Sequence, residues 1–234
     1  MQKSNKILRN YDNIVVYTKE HWEILKKKRE RSIKLMEIFE KEGFNPYVYG
    51  SIARGDVGYN SDIDIVFLDA VPFYMVELIL SKNNINVFNK DIIMATPKDS
   101  LKLYIYLSEL ECITVPLTKL SKKGMEFYNF GGKIDLRQLK DDVRVPGVDK
   151  RLVLIEPNEN GHEEHSIIGN EHVIAKKINV SIDTILEREK VLLKREKHGR
   201  TGVFLKRVIG MHETTENVLR ELARKKSIVR RKLN

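Results

Sequence analysis

Two aspartates separated by one residue are the side chains that most directly suggest chemistry. Asp62 and Asp64 lie in the run Ser61-Asp-Ile-Asp-Ile-Val-Phe67, whose alternating apolar residues predict a strand with one buried face. Side chains two residues apart in a strand project from the same face, so the two carboxylates would stand side by side. Because like charges repel, a divalent cation would stabilise this arrangement, and carboxylate oxygens are ligands of Mg²⁺ and Mn²⁺.

A turn upstream of these aspartates has the residues of a phosphate-binding site. Tyr47-Val-Tyr49 predicts a short strand, Gly50-Ser51 predicts a sharp turn, and one helical turn would follow and end at Gly55. Backbone N–H groups at the start of a helix bind phosphate, and the Ser51 hydroxyl could add a hydrogen bond. A phosphate site beside metal-binding carboxylates indicates chemistry on a nucleoside triphosphate.

The combination of Gly50-Ser51, Arg54-Gly55 and Ser61-Asp-Ile-Asp64 resembles the signature of the DNA polymerase β superfamily of nucleotidyltransferases. The resemblance covers about residues 45–120. It implies an α/β (α+β) fold in which a small mixed sheet, the palm, is flanked by helices. It also implies two Mg²⁺ (or Mn²⁺) ions and an NTP substrate, with ATP favoured, whose NMP moves to a hydroxyl acceptor.

The resemblance assigns roles to individual side chains. Asp62 and Asp64 would be catalytic metal ligands. The residues expected to bind the nucleotide are Gly50, Ser51, Arg54 and Ser61. For Arg54 an ion pair with Asp56 is an equal alternative.

The superfamily uses a third carboxylate on a neighbouring strand. Asp91 is the preferred candidate for this catalytic metal ligand, because the apolar run Ile92-Ile-Met94 that follows is typical of a buried strand. Glu109 and Glu111, just before the run Cys112-Ile-Thr-Val-Pro116, are the alternatives. Asp91 could also be a charge that stays in water at the entry of a strand. A helix predicted over 99–108 would separate the strand of Asp91 from the strand after Glu111.

The chain divides by pattern into a nucleotidyltransferase domain, 1–145, and a basic C-terminal domain, 146–234. In the second part Asn160-Gly161 predicts a β-hairpin, and the rest reads as mainly helical. A helix near 171–178, a turn at Asn179-Val180 and a second helix from Ser181 to Gly199 resemble a helix-turn-helix, whose second helix enters the DNA major groove. The alternative is a helical pair that packs on the catalytic domain. The order of the two halves resembles an archaeal family of predicted nucleotidyltransferases.

Residues 125–132 place three aromatic side chains ahead of a double glycine. These aromatic residues could stack a nucleobase in a cleft. They could equally be core residues before a turn, and that interpretation is preferred.

The charge balance favours a polyanionic partner. The chain has 42 Lys and Arg against 33 Asp and Glu, a formal net charge of +9. A basic run near the C-terminus supplies candidate nucleic-acid contacts, namely Arg224, Lys225, Lys226, Arg230, Arg231 and Lys232. The partners expected are RNA, tRNA or the ribosome, with DNA the weaker candidate. Basic side chains also suit the end of a helix dipole, which would explain the run without a ligand.

Two functions are preferred at this stage, ahead of an antitoxin-type enzyme that adenylylates a protein partner and of a DNA-binding regulator. The first is a metal-dependent nucleotidyltransferase acting on RNA or protein; the second is a non-catalytic protein that docks on RNA or the ribosome. The longest apolar run, 71–80, is interrupted by Glu77 and is too short to span a bilayer. The single cysteine, Cys112, excludes an internal disulfide. We therefore expect a cytoplasmic protein without a signal peptide or membrane partner.

Overall fold

The computed structural model describes residues 6–199 and 201–233. The strands are β1 Asp12–Val16, β2 Tyr47–Tyr49, β3 Ile63–Val66, β4 Asn89–Met94, β5 Lys102–Ser108, β6 Glu111–Pro116, β7 Lys133–Ile134, β8 Gly147–Val148, β9 Val153–Asn158, β10 Gly161–Ser166 and β11 Leu205–Ile209. The helices are α1 Lys19–Glu40, α2 Ser51–Arg54, α3 Phe73–Lys82, α4 Lys122–Gly131, α5 Leu136–Lys140, α6 Glu171–Lys177, α7 Ile182–His198, α8 Thr215–Lys225 and α9 Ser227–Leu233.

The larger sheet is mixed, as predicted, and positions the aspartates. Its seven strands have the order β11-β4-β5-β6-β3-β2-β7. The β3–β6 pair is parallel, and the other neighbouring strands pair antiparallel. Apolar side chains of α1, α3, α5 and α8 form the larger hydrophobic core together with those of this sheet. In β3 the buried side chains of Ile63 and Ile65 belong to that core, so the alternation of the strand directs Asp62 and Asp64 to the opposite face.

The predicted helix over 99–108 is wrong, because this segment contains the strand β5. The side chains of Leu103 and Ile105 are fully buried in the core, whereas Tyr104 and Tyr106 on the other face are partly exposed. This two-residue alternation, rather than a helical period, decides the conformation of the segment. The strand inserts between β4 and β6 and therefore moves Asp91 away from β3.

A second sheet of four strands has the order β1-β10-β9-β8. The hairpin of β9 and β10 turns at residues 159–160, where Asn160-Gly161 predicted it. A second hydrophobic core joins this sheet to α6 and α7, and includes Leu154, Ile174 and Ile185. The C-terminal half is therefore largely helical with a β-hairpin, in agreement with the predicted fold class.

The chain passes between the two cores more than once. The strand β1 precedes α1 but pairs with β10 in the second sheet. The strand β11 follows α7 but pairs with β4 at the edge of the first sheet, and α8 packs in the first core. The domain boundary at 145/146 remains a prediction, and a single cut at that position would not separate the two cores.

Among residues 6–199 and 201–233, no helix has the length and apolar character needed to cross a membrane.

Candidate active site

The two aspartates predicted to bind metal lie together where β3 begins. Asp62 is exposed and Asp64 is half-buried. Burial, reinforced by the charge of Asp62, raises the pKa of Asp64 to about 6, and the Lys150 ammonium partly opposes this shift. Neither carboxylate forms an ion pair with another described residue. The pair is therefore a concentration of negative charge that the protein itself leaves largely uncompensated.

The Gly50-Ser51 turn lies beside these acids because β2 and β3 are neighbours. Tyr49 is paired with Asp64 in the antiparallel register, and Gly50 follows Tyr49 directly. The backbone of Gly50 has φ +83° and ψ −144°, a conformation that is accessible to glycine and strained for other residues. The N–H of Gly50 donates to the carbonyl of Gly132 at 2.8 Å. This geometry reverses the chain sharply and starts α2 at Ser51.

The structure shows Arg54 in an ion pair with Asp56, which was one of the two alternatives. The guanidinium Nε and Nη2 each donate to the Asp56 carboxylate at 2.9 Å, and Nη1 donates to the carbonyl of Gly131 at 2.5 Å. Arg54 is buried and lies in the wall of the site. Because its charge is already balanced, direct binding of a nucleotide by Arg54 remains a prediction.

Ser61 helps to shape the loop that delivers Asp62. Its Oγ accepts a hydrogen bond from the N–H of Gly58 at 2.8 Å, and its carbonyl accepts one from Lys28 Nζ at 2.7 Å. These contacts connect the loop to itself and to α1.

One cavity of about 690 Å³ brings most of the predicted residues together. The predicted site residues that line it are Gly50, Ser51, Arg54, Ser61, Asp62 and Asp64. The sequence reasoning did not assign a second group of lining residues to the site, namely Phe127, Phe130, Lys150, Arg151, Arg188 and Arg195. Their only signal in the sequence was the aromatic run before the double glycine and the positive charge of the second half. Neither signal indicates that these segments fold over the acids.

Asp91 does not line this cavity. It lies on β4, which is separated from β3 by β5 and β6, so about 14 Å of sheet lies between the two strands. The Asp91 carboxylate is 2% exposed and forms an ion pair with Lys206 Nζ of β11 at 3.0 Å. The role of Asp91 as a third metal ligand remains a prediction, and this geometry does not favour it.

The alternative acids, Glu109 and Glu111, do not line the cavity either. Glu111 is in register with Ile63, on the opposite face of the sheet from Asp64, and accepts two hydrogen bonds from Arg31 at 2.7 and 2.8 Å. Glu109 is exposed in the turn between β5 and β6. Within the described part of the chain, no three His, Cys, Asp or Glu side chains are grouped so that they could hold a metal ion.

The basic residues near the C-terminus lie on helices or between them. Arg224 and Lys225 end α8, Lys226 connects α8 to α9, and α9 carries Arg230, Arg231 and Lys232. Val229 is fully buried, which fixes α9 on the first core, while most of the basic side chains are exposed. None of these six residues lines the cavity.

A comparison with known proteins agrees with this geometry. The family model of the nucleotidyltransferase domain matches residues 19–167, which include both aspartates and the Gly50-Ser51 turn. Searches of curated proteins and of solved structures found no match. The match spans more than half of the chain and confirms the resemblance to polymerase β-like enzymes, whereas the archaeal family and the helix-turn-helix remain predictions. The chain belongs to the nucleotidyltransferase domain family.

Proposed function

We propose that this protein transfers an NMP from an NTP, with ATP favoured, to a hydroxyl of RNA or protein. The observation that carries the proposal is the shared cavity of Asp62, Asp64 and the Gly50-Ser51 turn. Uncompensated acids and a phosphate-binding turn in one cavity match a substrate that carries both phosphates and a metal ion. A cytoplasmic location fits this function and the single cysteine.

The acids fit a divalent cation of the kind the family uses. The raised pKa of Asp64 indicates that its charged form is disfavoured without a counter-ion, and a bound cation would reverse this effect. Mg²⁺ is commonly held by one or two carboxylates plus substrate phosphates, so Asp62 and Asp64 suffice for one ion. When bound, the metal would neutralise charge on the transferring phosphoryl group. A second ion stays a prediction, because the other two acids that line the cavity, Asp56 and Asp149, are already paired with Arg54 and Arg151.

The protein's own residues would bind and orient the nucleotide. The Gly50-Ser51 turn would present backbone N–H groups and a hydroxyl to the phosphates, beside the acids. The Arg54–Asp56 pair and the Gly58–Ser61 contact would hold the turn and the aspartate loop in place. Positioning of this kind accounts for most of the catalysis in phosphoryl transfer, since little covalent chemistry falls to the protein.

The test is transfer from each α-labelled NTP in the presence of Mg²⁺ or Mn²⁺, with total RNA and cell protein supplied as acceptors. Wild type should label one acceptor class, and the double variant Asp62→Asn/Asp64→Asn should label none. The Ser51→Ala variant should transfer more slowly with the fold intact. No label with any nucleotide from a folded wild-type protein that binds Mg²⁺ would reject the enzymatic function.

The exposed basic residues of α8 and α9 favour a second candidate, RNA or ribosome binding. Arg224, Arg230 and Arg231 point into solvent, and none forms an ion pair with another described residue. Each phosphate contact would add salt dependence without base specificity. Replacing these three arginines by glutamine should weaken binding of tRNA or ribosomes and flatten its salt dependence. Unchanged binding at each salt concentration would remove this candidate.

A further inference from the structure

Some charged side chains that line the cavity form ion pairs, and others form none with a described residue. Arg54 pairs with Asp56, and Arg151 pairs with Asp149 and Glu164, so both guanidinium groups are neutralised. The lining acids without an ion pair to a described residue are Asp62 and Asp64. The lining cations without an ion pair to a described residue are Lys150, Arg188 and Arg195. The cavity thus has an acidic group from the first sheet and a basic group from the second core.

Arg188 is the most unusual of these cations. It lies on α7 with Leu192 and Arg195 at the i+4 and i+7 positions, so one face of the helix lines the cavity. The Arg188 Nε is buried and has no hydrogen-bond partner within the described chain. Burial, together with the nearby charge of Arg195, lowers the pKa of Arg188 to about 10. The protein therefore holds a desolvated cation beside a second cation, which is unfavourable unless an anion joins them.

Aromatic contacts fix Arg188 in this position. The guanidinium carbon lies 4.8 Å from the ring centroid of Phe127 and 5.9 Å from that of Phe130. Stacking on aromatic rings compensates part of the lost hydration while it leaves the N–H donors at the edge of the guanidinium plane free. A planar guanidinium with free donors is well suited to bidentate hydrogen bonds with phosphate.

We propose that Arg188 and Arg195 of α7 bind the triphosphate of the nucleotide, which deepens and rests on the proposed function. A nucleotide with its metal ion can contact the acids through the metal and the Gly50-Ser51 turn and the cations through its phosphates, because all of them line the same cavity. A triphosphate carries several negative charges along a short chain and can approach both groups at once. A volume of about 690 Å³ lies in the usual range for small-ligand sites.

This assignment gives the C-terminal half a role in the catalytic site. The matched family segment ends at residue 167, and α7 begins at Ile182. The helix that sequence reasoning aligned with the DNA-reading helix of a helix-turn-helix would instead complete the nucleotide site. The face of α7 that carries Arg188 and Arg195 lines the cavity.

The test is calorimetric titration of metal-free protein with inorganic tripolyphosphate at constant ionic strength. Arg188→Gln should weaken binding at least tenfold, and Arg188→Lys should not restore it, since lysine lacks the bidentate donor pair. The exposed Arg195→Gln substitution, which disturbs no core contact, should weaken binding several-fold. Lys190→Gln on the exposed side of α7 removes the same charge outside the cavity and should change affinity less than twofold.

The same titrations in the Asp62→Asn/Asp64→Asn background separate this inference from the proposed function. Tripolyphosphate binding that still depends on Arg188 in that background supports the phosphate site, even if wild type transfers no nucleotide. Equal affinity of wild type, Arg188→Gln and Arg195→Gln, with melting temperatures that confirm folding, would overturn the inference. It would also be overturned if these variants lost affinity for a single-stranded RNA oligonucleotide and kept it for tripolyphosphate and ATP.

Discussion

Asp64 of β3 lies directly beside Cys112 of β6 in the parallel register of the two strands. On β6, the position next to the acids proposed to bind metal is thus occupied by a thiol and not by a carboxylate. Burial, reinforced by the charge of Asp64, raises the pKa of the Cys112 thiol to about 12. Cys112 is therefore protonated at neutral pH and is a poor ligand for a hard cation such as Mg²⁺.

The first prediction is that the thiol of Cys112 reacts slowly. We expect alkylation by iodoacetamide at pH 8 to be at least tenfold slower than that of a cysteine in a denatured sample of the same protein, because thiolate is the reacting form. The Asp64→Asn variant should react faster than wild type, since one cause of the raised pKa has been removed. Rapid labelling of the native wild type would contradict the protonated state inferred for this thiol.

The second prediction concerns the stability of the metal-free protein. The pKa of Asp64 in the folded state, about 6, exceeds its usual value of 3.8, so folding favours the protonated form. The contribution of Asp64 to stability should therefore fall as pH rises from about 4 through 6. Asp64→Asn removes this cost and should stabilise the metal-free protein by about 1–3 kcal/mol at pH 8, with a smaller effect at pH 4. Urea unfolding in EDTA at the two pH values measures the difference.

Bound Mg²⁺ should stabilise wild type relative to variants that lack these acids. Addition of Mg²⁺ at pH 8 should raise the melting temperature of wild type, because the ion would bind the folded state and neutralise Asp62 and Asp64. The Asp62→Asn/Asp64→Asn variant should show no shift at the same concentration. A shift of equal size in both proteins would mean that Mg²⁺ binds elsewhere.

The third prediction separates a structural role of Asp91 from a catalytic one. Its buried carboxylate is paired with Lys206, and it lies outside the cavity. Lys206→Met leaves a buried charge without its partner and should cost about 1–3 kcal/mol of unfolding free energy. Asp91→Asn should keep most of the transfer activity. A loss of transfer by Asp91→Asn as complete as that by Asp64→Asn, at unchanged melting temperature, would establish Asp91 as a catalytic residue.

The sequence was most informative where the site depends on residues that are close together in the chain. The side-by-side placement of Asp62 and Asp64 follows from strand alternation, and the turn at Gly50 follows from its glycine. The placement of Asp91 depends on which strands pair, and a misassigned helix at β5 concealed one of the two strands that lie between β4 and β3. Arg188 and Lys150 enter the site through contacts between distant segments. A single sequence carries no signal of such tertiary contacts, because each of these residues resembles an ordinary surface cation in its local context.

The fourth prediction concerns the contact between β8 and the end of α4, next to the cavity. A Cβ atom at Gly147 would lie 2.5 Å from the nitrogen of Gly132 and 2.6 Å from the carbonyl carbon of Gly131. The strand β8 can therefore lie this close to the end of α4 only because residue 147 is glycine. Gly147→Ala should destabilise the protein by about 1–3 kcal/mol, because backbone rather than a flexible side chain must move.

Gly202→Ala provides the matched control, since its added methyl group meets no atom of the described residues within 4 Å. It should change the unfolding free energy by less than about 0.5 kcal/mol. Chemical denaturation of the two variants measures both effects. Equal stability of Gly147→Ala and wild type would show that β8 can move away from α4 at little cost.

The fifth prediction concerns the attachment of α7, the helix that carries Arg188. The buried carboxylate of Glu126 on α4 accepts hydrogen bonds from the hydroxyl groups of Ser181 and Thr184 at the start of α7. Burial alone would raise the pKa of Glu126, but these hydrogen bonds outweigh it and lower the pKa below the usual 4.5. The carboxylate therefore stabilises the fold above pH 4.5, and this contribution is lost as pH falls through the lower pKa of the folded state.

Glu126→Gln should therefore cost about 1–2 kcal/mol at pH 7, since a neutral amide accepts weaker hydrogen bonds and interacts less with the helix dipole. The cost should shrink as pH falls below 4.5, because wild type loses this charge as the pH passes through the lowered pKa of Glu126. Glu187→Gln is the control. The Glu187 side chain pairs with Lys123 but is more than half exposed, so this substitution should have little effect at either pH. Urea unfolding of the three proteins across this pH range decides the point. A penalty for Glu126→Gln that is equal at pH 3 and pH 7 would show that shape, and not the charge of Glu126, holds α7 beside the cavity.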